Sequence, residues 1–411
     1  KTKRYSRKIF KWGISILFLL LVVGYLIFKS SYVQTYISQK LGAYLSKKTE
    51  TTITVGAVDF KPFDTFVLKD LLILDHHKDT MLFTSDFYFE INEYDFKNLK
   101  FNLDLIEFNN AYLNINTYQN EHQSNLKRFI KKLSSNDSIK KNKNPQVYIE
   151  DIALEDLRLR IRNQNLPKTK EKIDFNHLEL FDLNMDADDF IFKDNLIRIN
   201  TEQFSFKEKS GFELLGMSGQ LMMDNQNFIL KYLEIETNDS DLNGDVSFEY
   251  KDWKSWSNFI EEVYIETYFE ETRVSSNDVE YFTDLIEGLN RSVTFQGNIN
   301  GTVSTLKAEN LKFNFGELTQ FDGEIEFNGL GVIDDPIINA KISNLITFEK
   351  DIKNIPLPPF TSGKTIRTPK WMKKIGKMEF KGDFVGPTSN FEATGILKTN
   401  AGIIKSDVFF K

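Results

Sequence analysis

Apolar and polar residues alternate with a period of two along most of the chain after residue 50. In the segment FTSDFYFEINEY, for example, Phe87, Phe89 and Ile91 alternate with Tyr88 and Glu90. Similar runs follow one another, separated by turn residues rich in Asn, Asp and Gly. Successive side chains of a β-strand point to opposite faces, so each run predicts a strand with one apolar and one polar face. The pattern predicts a mostly β protein.

The apolar side chains of these runs are predicted to face one shared interior. They are Phe87, Phe89, Phe101, Leu103, Leu105, Leu157, Leu159, Ile161, Ile197, Ile199, Val246, Phe248, Val293, Phe295, Phe313, Phe315, Ile325, Phe327, Met378 and Phe380. Two arrangements remain open at this stage. A sandwich would cover this face with a second sheet, whereas an open groove would leave it accessible to a ligand.

Three segments show helical spacing instead. Residues 31–48 are predicted to form an amphipathic helix that caps the near end of the sheet, or alternatively lies on lipid. Its apolar face comprises Val33, Ile37, Leu41, Tyr44 and Leu45. Residues 124–133 and 275–289 predict two further helices, the second with Ser276 as its N-cap.

Composition shifts suggest the domain organisation. The predicted order is a basic tail and transmembrane anchor (1–29), a capping helix (30–49), a first β segment (50–133), a polar linker or loop (134–146), a second β segment with a helix near 275–289 (147–353), a loop (354–376) and a continuing β segment (377–411). The last segment ends within a strand-like run, so we expect the chain to be part of a longer protein.

The N-terminus predicts a single membrane anchor. Six basic residues precede an uncharged apolar run that approaches the ~20 residues needed to cross a bilayer. The anchor side chains are Trp12, Ile14, Leu17, Phe18, Leu19, Leu20, Leu21, Val22, Val23, Tyr25, Leu26 and Phe28. The basic cluster predicts a cytoplasmic N-terminus and a translocated body. A cleaved signal peptide is the alternative, but no small-residue cleavage site follows Phe28.

The charge and the available chemistry narrow the function. Removing the six anchor charges from the net charge of -7 leaves -13 for the remainder, which argues against a nucleic-acid partner. The chain has no cysteine and none of the common catalytic motifs. We therefore predict that it is not an enzyme, with no catalytic residues, no metal site and no cofactor.

The pair His76-His77 is the only cluster that invites a metal-site hypothesis. It lies between two predicted strands, and Asp75 and Asp79 flank it. Neighbouring residues on a strand point to opposite faces, and no further His or Cys ligand is near in sequence. A solvated turn is therefore the favoured interpretation.

The layout of the whole chain resembles the TamB family of AsmA-like, bridge-like lipid-transfer proteins, in its Bacteroidota form. The segments that carry the resemblance are the anchor, YVQTYISQKLGAYLSKKTETTITVGAVDF, FVLKDLLILDHHKDTMLF, LKFNLDLIEFNNAYLNI, FTDLIEGLNRSVTFQGNINGTVSTLKAENLKF and WMKKIGKMEFKGDFVGPTSNFEATGILKTNAGIIKSDVFF. The order of these soft motifs carries the likeness, since none contains a catalytic signature. The family's conserved C-terminal domain has no counterpart here.

The resemblance implies a long, twisted, open β-sheet folded into a U-shaped groove, a "β-taco". It also implies a translocation and assembly module in the bacterial inner membrane, with its body in the periplasm. Phospholipid acyl chains would ride in the groove between the inner and outer membranes, and a BamA-like outer-membrane barrel would be engaged through C-terminal residues absent from this chain. The alternative is a structural tether of the envelope with a closed β core and no lipid transport.

Overall fold

The computed structural model describes residues 30–60, 65–95, 100–134, 145–169, 172–284, 286–387 and 389–410. In this part of the chain, nineteen strands belong to one sheet. The strands are β1 Ile53–Thr54, β2 Ala57–Phe60, β3 Thr65–Leu74, β4 Thr80–Asp95, β5 Lys100–Thr117, β6 Gln146–Asn163, β7 Glu179–Lys193, β8 Leu196–Glu208, β9 Glu213–Met223, β10 Asn227–Thr237, β11 Asp241–Glu249, β12 Tyr264–Ser275, β13 Ser292–Gly301, β14 Lys307–Phe315, β15 Thr319–Asn328, β16 Ile337–Thr347, β17 Met378–Gly386, β18 Phe391–Thr399 and β19 Gly402–Phe410.

Five short to medium α-helices punctuate the strands in the described residues. They are α1 Ser31–Thr49, α2 Asn125–Ser134, α3 Phe259–Glu262, α4 Ser276–Val279 and α5 Glu349–Lys353. Single 3₁₀ turns occupy Ser255–Asn258, Val303–Thr305, Phe360–Ser362 and Met372–Lys374.

The sheet is an extended meander that does not close on itself. The strands β1 and β2 pair in tandem with β3, and from β3 to β19 each strand pairs with the next in sequence. The β5–β6 pair is parallel, with Lys100 opposite Gln146, while the other pairs of the described strands are antiparallel. The prediction of a mostly β protein with one long open sheet is confirmed.

The sheet runs without a break past both predicted loops. The strands on either side of residues 134–146 pair with each other, and so do those on either side of residues 354–376. These two segments are therefore connections between adjacent strands of one sheet. Most of the first segment, residues 135–144, lies outside the described residues.

The first helix packs against the β1–β4 end of the sheet. Ile37, Leu41 and Leu45 contact a buried cluster that includes Ile53 and Met81. The side chain of Ser30 accepts a hydrogen bond from the Val33 amide, which supplies the N-cap. Burying the face with the three- and four-residue spacing removes apolar area from water, and this explains why α1 forms here.

Two details of the predicted helices differ in the structure. Tyr44 is 64% exposed, so it lies on the outer side of α1 and not on its packed face. The helix predicted over 275–289 is limited to α4, and its N-cap is Ser275, whose side chain accepts a hydrogen bond from the amide of Asn277. Most of the remaining described residues of this stretch form turns, and Tyr281 and Phe282 within it pack edge-on against Phe212, in the connection between β8 and β9.

Candidate functional site: an apolar face shared by the strands

One side of the sheet is apolar across nearly all of its strands, and we call this side the apolar face. Directly paired residues of neighbouring strands lie on the same side of a sheet, so the register identifies its members. From β8 to β19 the pairs form one unbroken row of Ile199, Leu221, Leu230, Val246, Thr267, Ile299, Ala308, Ile325, Ala340, Phe384, Ala393 and Val408. Thr267 is the single polar member of this central row.

Two further rows extend the apolar face along the strands. The first runs from β5 to β12 through Phe101, Val147, Phe192, Ile197, Met223, Phe228, Phe248 and Ile265. The second runs from β13 to β19 through Phe295, Phe313, Phe321, Leu345, Phe380, Leu397 and Ile404. Aromatic rings meet within it, since the centroids of Phe313 and Phe321 are 4.7 Å apart.

The opposite side of the sheet is mostly polar. The row next to the central one, shifted by one residue, comprises Arg198, Met222, Ile229, Ser247, Glu266, Asn300, Lys307, Glu326, Asn339, Val385 and Glu392. Charged and amide side chains dominate it. The two sides of the sheet therefore differ in chemistry from β8 to β18.

The register places all but one of the predicted lining residues on the apolar face. Nine of the predicted residues are members of the rows above, and Phe87 and Phe89 pair with Phe108 and Ile106. Most of the others pair with apolar residues, as Leu103 does with Ile149, Leu157 with Leu183, Leu159 with Leu180, Ile161 with Ile115, Val293 with Val274 and Phe327 with Ile338. Phe315 and Met378 lie two residues from Phe313 and Phe380 on the same strands and so share their face. Leu105 is the exception, because its partners are Glu90 and Asp151 on the polar side. The β4–β5 register shifts next to Glu90, so extending the alternation from Leu103 to Leu105 gives the wrong face.

Local kinks preserve the apolar face while they break the period of two. Asn110 in β5 and Asp156 in β6 both adopt positive φ, at 49° and 53°. Asn and Asp tolerate this left-handed conformation better than most residues do. On β5, Ile106 and Phe108 lie on the apolar face before the kink, and Ala111 lies on it afterwards. The parity of the alternation changes at the kink, and the face stays apolar.

The predicted lining side chains are half-buried rather than sealed. Leu157 and Met378 are buried, at 8% and 5% exposure, and the other predicted members keep part of their surface in contact with solvent. All nineteen strands belong to the same sheet, so no separate second sheet covers this face within the described residues. A closed sandwich core would instead bury the inward side chains of two sheets.

Cover is confined to particular places along the face. Near β3–β5, α1 and α2 pack against the buried cluster that includes Met81, and Phe87 and Phe89 of the apolar face pack against the same cluster. At the end of β11, Trp256 and Phe259 pack against Phe248, with ring centroids 5.6 and 5.9 Å away. These contacts close the β1–β5 end and part of one rim.

A separate polar cluster lies at the turn between β3 and β4. The Nε2 atoms of His76 and His77 lie 3.0 and 2.9 Å from Oε1 of Glu121, which follows β5. The turn residues His76 and His77 are not on a strand, so the argument that neighbouring side chains diverge does not apply to them. Hydrogen bonds with His77, and then with His76, hold the pKa of Glu121 below its usual range.

A buried carboxylate organises the backbone of this turn. Oδ1 of Asp75 accepts hydrogen bonds from the amides of His77 and Asp79, at 2.9 and 3.1 Å. Its Oδ2 accepts hydrogen bonds from the Tyr118 hydroxyl at 2.6 Å and from Nδ2 of Asn125 at 3.0 Å. Burial raises the pKa of Asp75, but these hydrogen bonds outweigh burial and lower it. Sequence reasoning missed Glu121 and Tyr118, which are more than forty residues away in the chain.

The predicted membrane anchor, from Trp12 to Phe28, lies outside the described residues. Among the helices that the structure describes, none is both long enough and apolar enough to span a bilayer. Comparison of the chain with protein-family models, curated proteins and solved structures gave no match.

Proposed function

We propose that this protein is a lipid conduit of the bacterial envelope, in which phospholipid acyl chains move along the apolar face between the inner and outer membranes. The observation that carries the proposal is the unbroken apolar row from β8 to β19, whose face no separate second sheet covers in the described residues. Large exposed apolar surfaces on proteins usually mark a binding partner. The resemblance to the TamB family supports lipid as that partner.

The dimensions of the sheet suit an extended ligand. Strands about 4.8 Å apart give the path from β3 to β19 a length of roughly 80 Å along the sheet. This is several times the length of one acyl chain, so lipid molecules would follow one another along the face. Their headgroups would remain in water at the open side, as in the U-shaped groove that the resemblance implies.

The proposal includes a membrane location and a second membrane partner. The basic N-terminus and the apolar run from Trp12 to Phe28 would anchor the chain in the inner membrane, with the body in the periplasm. A reporter fused after residue 60 is then active only outside the cytoplasm, and activity inside it would contradict this topology.

Engagement of a BamA-like barrel in outer-membrane protein assembly rests on the resemblance alone.

Site-specific crosslinking tests the conduit directly. A photo-crosslinking amino acid at Phe101, Phe295 or Phe380 is expected to capture phospholipid in cells, identified by mass spectrometry. Controls at Asn102, Gln296 and Lys381 carry the same group one residue further along each strand, on the polar side.

Two outcomes oppose the proposal. Equal capture at polar and apolar positions would indicate non-specific contact with membrane. No capture at any apolar position, with normal protein levels, would favour a structural tether that carries no lipid.

A further inference from the structure

Three side chains that can coordinate a metal ion converge at the turn between β3 and β4. The ligand atoms of His76, His77 and Glu121 all lie within 4.8 Å of one another. Both imidazole Nε2 atoms approach the same carboxylate oxygen, Oε1 of Glu121, at 3.0 and 2.9 Å. Zinc bonds of about 2.0–2.1 Å in tetrahedral geometry hold neighbouring ligand atoms roughly 3.3 Å apart. The two nitrogen–oxygen separations are therefore within a few tenths of an ångström of those in a zinc site.

The surroundings hold the two imidazole rings in place. The ring of His77 lies 3.8 Å from the ring of Tyr118, and the two histidine rings lie 4.4 Å apart. Tyr118 is itself fixed by hydrogen bonds to Asp75 and Asp79, at 2.6 and 2.8 Å. Packing against a fixed ring restricts the orientations of the imidazoles and so reduces the ordering cost of binding.

The carboxylate is oriented as well. Nη1 of Arg128 lies 3.7 Å from Oε2 of Glu121. Oε1 is close to both histidines, and Oε2 is also 3.0 Å from Nε2 of His76. The backbone carbonyls of Tyr118 and Glu121 both accept hydrogen bonds from Nδ2 of Asn165, which ties this segment to the loop after β6. The three ligands thus come from two turns that other contacts already hold together.

The exposure of the ligands leaves an open coordination position. The His76, His77 and Glu121 side chains are 20%, 46% and 27% exposed. Two imidazoles and one carboxylate are a common ligand set for a zinc ion that keeps water as its fourth ligand. Nitrogen ligands also disfavour Mg²⁺ and Ca²⁺, which prefer oxygen.

We propose that His76, His77 and Glu121 bind one divalent transition-metal ion, with Zn²⁺ as the expected occupant, and that the ion fastens the β3–β4 turn to the segment after β5. The site lies beside α2, at the end of the sheet that α1 and α2 cover. Binding there stabilises the covered end of the sheet and does not depend on lipid transport.

Zinc binding by the full chain tests this proposal. The protein is purified without a polyhistidine tag, stripped with a chelator and titrated with Zn²⁺ against a chromophoric competitor. One zinc ion per chain is expected, together with a rise in the thermal unfolding midpoint that EDTA reverses. His77→Ala and Glu121→Gln are each expected to weaken the affinity at least tenfold and to abolish the zinc-dependent rise.

His122→Ala is the matched control, because His122 is exposed, adjacent to Glu121 and outside the cluster. This variant is expected to bind zinc as the unchanged chain does. The proposal is overturned if the unchanged chain binds no zinc, if His77→Ala and Glu121→Gln bind it normally, or if His122→Ala weakens binding equally. Circular dichroism checks the fold of each variant, and Glu121→Gln decides if an alanine variant misfolds, because Gln keeps the size and the hydrogen-bond acceptor.

Discussion

A charge placed on the apolar face distinguishes an open face from a sealed core. We consider Phe295→Arg in β13, where the Phe295 side chain is half-buried and its ring centroid lies 5.4 Å from that of Phe269. Full burial of a Phe side chain contributes about 1.5–3 kcal/mol, so half-burial contributes about 1–1.5 kcal/mol. Loss of the edge-to-face aromatic pair adds about 0.5–1.5 kcal/mol. The expected cost is about 2 kcal/mol, because the long Arg side chain can reach water at the open side.

Met81→Arg supplies the contrast within the same chain. Met81 is 1% exposed and lies in the cluster beneath α1 and α2. An Arg there is cut off from solvent and lacks a partner, so we expect a loss of 5 kcal/mol or more in addition to disrupted packing. Gln296→Arg, on the exposed polar side of β13, is expected to change stability by less than about 0.5 kcal/mol.

Urea unfolding followed by circular dichroism and Trp fluorescence measures the three variants against the unchanged chain. The expected order of midpoints is Gln296→Arg near the unchanged chain, Phe295→Arg modestly lower and Met81→Arg lowest or unfolded. If Phe295→Arg unfolds the sheet as completely as Met81→Arg, the apolar face is a closed core, and the reasoning that makes it a lipid path is refuted. If Phe295→Arg folds, loss of lipid capture at Phe380 in that variant supports a continuous path.

Three further predictions concern stability. Asp351→Ala is expected to lower the free energy of unfolding by about 3 kcal/mol, as measured by chemical unfolding. The buried Asp351 carboxylate accepts hydrogen bonds from the Leu318 amide at 2.8 Å and from the Thr319 hydroxyl at 2.9 Å, and the variant leaves both donors without this partner. Gly382→Ala is expected to lower the melting temperature, because Gly382 has a φ of +157° and an added Cβ would lie 2.1 Å from the backbone oxygen of Thr394. Gly216→Ala is the control: an added Cβ there meets no atom within 4 Å, so the melting temperature should not fall. Burial raises the pKa of Asp174, but hydrogen bonds outweigh burial and lower it from 3.8 to about 2. That carboxylate therefore contributes up to about 2 kcal/mol above pH 4, and the contribution disappears as the pH falls towards 2; unfolding measured across this range should be flatter for Asp174→Asn.

The sequence predicts the strands well and the faces less completely. Period-two alternation identifies the strands because one side of the sheet is apolar and the other polar along its length. The same alternation assigns the wrong face where an extra residue shifts the register between two strands. Leu105 is the example, because the pattern of apolar and polar residues gives no sign of the register shift beside Glu90. Kinks at Asn110 and Asp156 have a sequence signal, since Asn and Asp favour positive φ, but these residues also occur in ordinary turns.

The polar cluster illustrates a different limit. A strand interpretation of His76 and His77 separates their side chains, whereas the turn directs both rings towards Glu121. The direction depends on hydrogen bonds from the backbone of the turn to Asp75, and on Tyr118, which lies beyond two intervening strands. No local pattern in the sequence contains this information, because the partners are brought together by the pairing of β4 with β5.

The uniformity of the apolar face matters more for the proposed function than the affinity of any part of it. Each buried CH₂ group of an acyl chain contributes about 0.8 kcal/mol, so a chain of sixteen carbons that buries half its surface gains roughly 6 kcal/mol. Such a gain retains lipid against escape into water. Movement along the sheet exchanges one apolar contact for another of the same kind, because the central row from Ile199 to Val408 has Thr267 as its only polar member. The barrier to movement is then set by local differences in packing, such as the ring pair at Phe313 and Phe321, and not by the total gain. A deep closed pocket of equal apolar area would hold lipid more tightly and release it more slowly, so an open face of even composition is the arrangement that suits passage.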